Sequence, residues 1–220
     1  MRKSSAKPRL DGEQTRVALI EAAGELAAEY GWAHVQAKQV CERAQVNAAS
    51  VNYWFGGRDA LYEAVVAQIP NALIDETVFQ RLMQEQDQDK ALSQCLDHFL
   101  NIVVCKGRTW PMRVWVREVT GNPSAAFLAL AQRRGVARID AMKSFIGSYL
   151  GIDSQDVRVS AAIMNMMSVI FLMLTLSPSI QTILYPTMAR DQACYLQAIK
   201  NQLMLSFSSL KVLIQNEKSR

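Results

Sequence analysis

Residues 37–57 read AKQVCERAQVNAASVNYWFGG, and the fold follows from how this stretch is divided. Ala37–Ala44 suit a short helix. Asn47 opens a second one, because its side-chain oxygen can accept an orphan amide of the next turn, and Val51 and Phe55, four residues apart, give that helix an inward face. Gly56 and Gly57 end it. Two short helices joined by Gln45, Val46 and Asn47 have helix-turn-helix spacing, in which the second helix can lie in a major groove. Short helix pairs are common in helical proteins, so surface chemistry has to carry the reading. No acid occurs between Gln45 and Gly57, as a face that approaches phosphates requires.

The candidate contacts follow from that face. Ala48, Ala49, Ser50 and Asn52 present small or polar groups, and Asn52 can pair with adenine while alanine methyls meet thymine methyls. Tyr53 can donate its hydroxyl to a phosphate. Arg58 adds a charge at the N-terminus of the following helix, where free amides already attract an anion.

Working outward, Leu19, Ala23, Leu26 and Tyr30 recur at helical spacing and predict an amphipathic helix over Gly12–Tyr30, closed by Gly31. A helix from Arg58 carries Leu61, Tyr62, Val65 and Ile69 inward until Pro70 kinks or ends it. Residues 84–89 read as a linker. Leu92, Leu96, Phe99 and Val103 stripe the next helix, and Pro111 opens a helix to about Thr120. Asn122 with Pro123 predicts the start of a helix reaching Leu150, and Asp153 the cap of an uncharged helix ending near Leu176. From about Thr187 a last helix aligns Tyr195, Ile199, Leu203, Phe207, Leu210 and Ile214. With no convincing strand or repeat, the expectation is an all-α chain of about nine or ten helices: a basic arm over residues 1–10, a three-helix head over 11–57 and a helical body over 58–220.

Composition fits this division. Half of the 220 residues are apolar, a fifth are charged and the net charge is +4, which excludes a disordered or fibrous chain. Arg2, Lys3, Lys7 and Arg9, with no acid among residues 1–10, supply the whole excess, so residues 11–220 balance. A basic arm before a neutral body suggests contact with a polyanion. Cys41, Cys95, Cys105 and Cys194 are widely separated, and with only His34 and His98 no zinc spacing can be assembled. They read as buried thiols of a reducing compartment, and no apolar leader marks export, so a cytoplasmic protein without cofactor or metal is expected.

Two other classes were weighed. There is no Gly-x-Ser-x-Gly, P-loop, Gly-x-Gly-x-x-Gly or His-Glu-x-x-His, and the two histidines lie 64 positions apart, so the chain does not read as an enzyme. Residues 159–176 form an 18-residue run without a charge, at the lower limit for a membrane span. Ser160, Asn165, Ser168 and Thr175 interrupt it, and a helix buried on all sides of a helical protein is the expected reading.

The run from Gly31 through Val40, Ala44, Val46 and Asn47 to Val51, Asn52, Tyr53, Trp54, Phe55, Gly56, Gly57, Arg58, Asp59, Ala60, Leu61 and Tyr62 resembles the DNA-binding domain of TetR-family transcriptional regulators. More narrowly, NAASVNYWFGGRDALY is similar to the CecR-like branch. VREVTGNPSAAF, with Arg117, Glu118, Asn122, Pro123 and Ser124, resembles that branch's Arg-Glu and Pro-Ser pattern. The chain departs from the pattern at Gln36, where a capping threonine is usual, at Gln45, where the turn glycine is usual, and at Arg58, where lysine is usual.

The resemblance implies a homodimeric, ligand-responsive regulator, with repression as its mode, binding a palindromic double-stranded DNA operator. Lys38, Asn47, Ala48, Ala49, Ser50, Asn52, Tyr53 and Arg58 would meet DNA. A largely apolar small-molecule effector would sit among Trp110, Arg113, Trp115, Arg117, Glu118, Met167 and Phe171, within a stretch rich in aromatics and methionines. The uncharged helix and the last helix would pair with their copies through Met173, Tyr195, Ile199, Leu203, Phe207 and Leu210. No membrane association is implied.

Overall fold

A computed structural model describes residues 12–69, 81–106 and 109–219. The basic arm and the expected kink at Pro70 lie outside them.

Helices α1 (Gly12–Tyr30) and α2 (Ala37–Ala44) occupy the predicted spans. Gly31, at φ 80°, ends α1, and a single 3-10 turn at Trp32–His34 leads on. Gln36, in place of the usual capping threonine, donates its amide to Gln39 Oε1 at 2.8 Å, which secures the start of α2. Gln45 is left-handed, at φ 58° and ψ 37°, and is the only non-glycine with positive φ among the described residues. The turn is thus the ordinary one, built at a strain of about 1–2 kcal/mol that glycine would avoid.

The start of the next helix differs from expectation. Asn47 Oδ1 accepts from Ala49 N at 2.9 Å, but α3 (Ser50–Phe55) begins only after Ala49. Asn47 uses its oxygen to close a side-chain turn, which satisfies an amide as a cap does yet moves the helix start past Ala48 and Ala49. Gly56 and Gly57 then lead into α4 (Arg58–Val66).

The body comprises α5 (Gln88–Asn101), continuing through a π turn at Ile102–Lys106, then α6 (Trp110–Thr120), α7 (Ala125–Leu130), a π turn at Ala131–Gly135, and α8 (Val136–Leu150). There follow α9 (Val157–Thr175), α10 (Pro178–Leu184), α11 (Pro186–Arg190) and α12 (Gln192–Lys218). The described residues hold these twelve helices and no strand. The count exceeds nine or ten because a π turn divides the helix expected to reach Leu150, and α10 and α11 precede the last one. The linker shrinks to 85–87.

Three caps move. Ser124, not Asn122, caps α7, accepting from Phe127 N at 3.2 Å. Asp156, not Asp153, caps α9, accepting from Arg158 N at 2.9 Å. Asp191 caps α12, accepting from Cys194 N at 2.9 Å. In the first two places a pair of capping residues precedes one apolar run, and the residue next to the first packed turn takes the role.

Two cores result. Leu19, Ala23 and Leu26 of α1, Val40 and Cys41 of α2, Val51 of α3 and Leu61, Tyr62, Val65, Val66 and Ile69 from α4 onward are buried together with Val114 of α6. Tyr30, expected inside, is 50% exposed because it sits on the last turn of α1. The second core joins α5, α8, α9 and α12 through Leu92, Leu96, Phe99, Ile146, Tyr149, Ile163, Met166, Leu203, Phe207 and Ile214. Cys41 and Cys95 are buried, and burial pushes the Cys95 thiol up to about 12; Cys194 is exposed, contrary to expectation.

Candidate functional site

The outer face of α3 rests on a rigid base. Val40, Cys41 and Val51 are at most 1% exposed, and the Cys41 thiol donates to Ala48 O at 3.6 Å across the turn. Asn47, Ala48, Ala49, Asn52 and Tyr53 are exposed and Ser50 is half-buried. The Tyr53 ring, 79% exposed, meets Trp54 edge-on at 5.1 Å and is held at the surface by it. Lys38 stands free of the core on α2, 3.9 Å from Glu42. Lys38 is likewise exposed. Gly12 lies against the Trp54 ring, where an added Cβ would come within 2.7 Å, and Arg16 stacks over Phe55 at 5.6 Å. The described chain therefore begins beside α3.

Arg58 is the exception. Its Nη2 donates to Trp32 O, and its guanidinium lies over the Trp32 ring at 4.7 Å. Trp32 in turn stacks on Tyr62, 4.5 Å away and 9° from parallel. The residue expected to meet phosphate instead clasps the loop after α1, because the Trp32 carbonyl and ring face it across the bend at Gly57. Spacing gives no sign of a partner 26 residues upstream.

The stack ends on a buried carboxylate. Tyr62 donates its hydroxyl to Glu118 Oε1, and Glu118 Oε2 accepts from Ser124 N at 2.7 Å. Glu118 is 7% exposed. Burial first, then the bond to Glu118, raises the Tyr62 pKa well above its ordinary value. Beside it, Arg117 donates to Ala28 O at 3.1 Å and Glu29 O at 3.0 Å, and Arg113 to Ala28 O at 3.3 Å. Two cations thus sit on the last carbonyls of α1, the favourable end of its dipole. Trp110 packs its ring on Gly24 and donates Nε1 to Glu21 Oε2 at 2.6 Å.

Trp110, Arg113, Arg117 and Glu118, expected to line an effector pocket, therefore join body to head. Arg117 and Glu118 border a separate junction cleft of about 530 Å³ with Trp32, His34 and Tyr62. Their identity as aromatic and charged residues on one helix was legible, whereas their partners on α1 were not. The small residue at Gly24, inside a run of large and alanine positions, is the one signal that could have pointed to Trp110.

An apolar cleft lies deeper in the body. It measures about 210 Å³ and is lined by Ile69, Phe99, Trp115, Phe127, Met142 and Met167, among others, with Arg134 and Arg138 as its charged residues. Of the expected pocket residues, Trp115 and Met167 line it. Phe171 backs Trp115 edge-on at 5.7 Å. No group of His, Cys, Asp or Glu that could hold a metal occurs among the described residues.

The outer face of α9 and α12 also differs from expectation. Met173, Leu203 and Phe207 are 6%, 3% and 3% exposed within this one chain, and Tyr195, Ile199 and Leu210 are half-buried against the same cores. The surface left open consists of Ala161, Met164, Ser168 and Leu172 on α9 and Gln202, Leu205, Ser209 and Val212 on α12. Asn165 Nδ2 donates to Ser206 Oγ at 3.2 Å between the two helices. Arg158, at the start of α9, borders this face and pairs with Asp156 and with Glu217 of α12; only 28% of the most apolar stretch of α9 is buried, so the helix is not enclosed on all sides. A stripe marks which residues are apolar together; when both sides of a helix lack charge, it does not say which side faces in.

Residues 19–65 match the family described as bacterial regulatory proteins, tetR family. The chain as a whole resembles the crystal structure of HlyIIR, a hemolysin II transcriptional regulator, with TM-score 0.59 and 16% identity over 88% of this chain and 97% of that one. It also resembles a TetR-like transcriptional regulator from Rhodococcus sp. RHA1, with TM-score 0.61 and 14% identity over 92% and 96% of the two chains. NalD, the secondary repressor of the MexAB-OprM multidrug efflux pump in Pseudomonas aeruginosa, gives 0.55 and 19% over 91% and 96%. No curated protein sequence matches the chain. The head is a TetR-type helix-turn-helix domain, and the body has the helical fold of TetR-like regulators.

Proposed function

We propose that the protein is a cytoplasmic transcriptional repressor that binds a palindromic DNA operator as a homodimer and releases it when a small apolar effector enters the body. The observation that carries this reading is the acid-free, exposed face of α3 and the turn before it, on which Ala48, Ala49, Asn52 and Tyr53 stand clear of a base that is at most 1% exposed. Such a face can approach phosphates and base edges without desolvating a carboxylate. The basic arm, which precedes Gly12 in the sequence, adds four positive charges without an acid.

Dimerisation uses the largely apolar outer face of α9 and α12, with the Arg158–Glu217 pair at its end. Two copies meeting there would bury Met164, Leu172, Leu205 and Val212, and would set two α3 helices to read a two-fold site. The effector occupies the apolar cleft. Ile69, just past α4, and Trp115 of α6 both line it; α6 holds the end of α1 through Arg113 and Arg117, and Tyr62 of α4 through Glu118. A ligand wedged there moves head against body to the extent that it binds one arrangement better than the other. The Glu118 to Ser124 bond gives the Arg-Glu and Pro-Ser pattern a structural task, which supports the CecR-like assignment.

Sequencing the genomic fragments retained by the purified protein identifies the operator. On that operator Tyr53→Ala weakens binding about tenfold on all duplexes, and Asn52→Ala changes base preference at one position per half-site. Full operator affinity in the Tyr53→Ala, Asn52→Ala double variant would falsify the assignment of α3.

A further inference from the structure

A buried carboxylate joins three helices at the line between head and body. Glu118 of α6 is the one charged residue that is buried among the described residues. Both groups that reach it are donors: the Tyr62 hydroxyl of α4 meets Oε1, and the Ser124 amide, at the start of α7, meets Oε2 at 2.7 Å. A carboxylate answers two donors because both of its oxygens accept, whereas an amide of the same shape would turn its own N–H groups against one of them. The position thus calls for an acid, and burying that acid is unfavourable unless both bonds form.

The two arms of this clasp lead in opposite directions. Tyr62 stacks on Trp32, whose carbonyl accepts from Arg58, the residue that follows Gly56 and Gly57 at the exit of α3. Ser124 caps α7 by accepting from Phe127 N at 3.2 Å, and Phe127 and Leu130 of that helix line the apolar cleft. Direct contacts therefore run from the exit of the recognition helix to the wall of the cleft, with Glu118 between them. Trp32, Tyr62, Glu118 and Ser124 also border the junction cleft of about 530 Å³, so the clasp stands where head and body have room to move against each other.

Resting on the reading of the chain as an operator-binding homodimer, we infer that Glu118 is a positioning residue for DNA recognition. By holding Tyr62 it fixes the tilt of α4, and with it the separation at which the two α3 helices of a dimer read their half-sites. A polar clasp suits this task better than apolar packing does. Hydrogen bonds to a buried acceptor are directional and admit one arrangement, while apolar contacts are not directional and tolerate sliding. The same carboxylate holds the start of α7, so a ligand that displaces α7 from the cleft side acts on the residue that sets the head.

The test uses the full chain and the duplex it retains from genomic DNA, with the centre between half-sites kept, lengthened by one base pair or shortened by one. Each base pair moves the half-sites by about 3.4 Å and turns them by roughly 35°. By fluorescence anisotropy the parent should prefer its own spacing about tenfold or more. In Tyr62→Phe, which keeps the ring on Trp32, and in Glu118→Gln, which keeps the shape but one acceptor fewer, that preference should fall to about threefold or less. Base substitutions within a half-site should still weaken binding as they do in the parent, which shows that the head remains folded. Ile146→Val, a truncation in the second core, lowers stability and should leave the spacing preference at the parental value. A parent indifferent to spacing, a full preference in both clasp variants, loss of base discrimination along with spacing in both, or the same loss of preference in Ile146→Val overturns the inference. Operator binding with the preference intact in both clasp variants removes this inference alone, whereas a chain that retains no duplex removes the functional reading with it.

Discussion

The head and the α9–α12 pair both leave a helical face uncovered, and the two faces are opposites. On α3 the open side is small and polar, with an aromatic hydroxyl at its end, above a core that needs nothing further. On α9 and α12 the open side is apolar along most of its length and carries Met164, Leu172, Leu205 and Val212, of which Met164 is 69% and Leu205 63% exposed. A polar open face suits a polar, charged partner bound reversibly. An apolar open face of two long helices suits a partner that stays, because exposed apolar surface of that extent is stabilised by burial at about 25 cal/mol per Å².

The sharpest way to break this contrast is to exchange the two sides of α12. Phe207→Ala opens a cavity in the chain's own core and should lower unfolding free energy by about 3–5 kcal/mol, read by denaturant titration, with the dimer dissociation constant changing only through that loss. Leu172→Glu with Leu205→Glu does the reverse: the protomer stays folded while the dimer weakens a hundredfold or more, at least about 3 kcal/mol, measured by sedimentation. If Phe207→Ala yields well-folded monomers, the inner and outer faces have been exchanged in error.

Within the head, Arg58→Ala should cost about 1–2 kcal/mol of stability, since it removes a hydrogen bond and a stacked cation from Trp32. The salt dependence of DNA binding should be unaltered. Deleting residues 1–9 should do the opposite, leaving stability alone while reducing the slope of log K against log salt by about 3–4 per protomer. A changed slope in Arg58→Ala would restore the arginine to the phosphate face.

The smallest effect concerns pH. Asp156 accepts from Arg158, whose side-chain and backbone bonds hold its carboxyl at about 2 instead of the usual 3.8. Ionised Asp156 therefore stabilises the folded chain above pH 3.8, and this contribution fades as pH falls towards 2. Asp156→Asn keeps a capping oxygen but loses the charge, so it should melt slightly below the parent at neutral pH, with the gap closing between about pH 4 and 2. Melting followed by circular dichroism across that range checks it.

How much of this was legible follows physical lines. The ends of α1 and α2 lie where Gly31, Gln36 and Gln45 place them because helix termini are set locally, by φ and by capping groups a few residues away. The α3 face was readable for the same reason: its burial pattern and its missing acids are properties of a dozen consecutive residues. The partners of Arg58, Trp110, Arg113 and Arg117 were not legible because they lie 26 to 89 positions away in sequence, and nothing in a side chain's own type tells whether a carbonyl or a ligand will meet it. Met173, Leu203 and Phe207 turn into the chain's own cores for a different reason: periodicity marks the stripe, but its direction is undetermined when the opposite side is apolar too.

Gly24 bears on how freely this protein can vary. Alanine there would improve α1 by about 1 kcal/mol of helix propensity, and most exposed helix glycines accept that exchange. Here the added methyl would lie 2.4 Å from the Trp110 ring, a rigid group tied to Glu21, and the overlap outweighs the gain. The closeness of α1 and α6 is thus inherited through the smallest side chain available: a substitution that sequence comparison would rank as conservative would pry the head from the body.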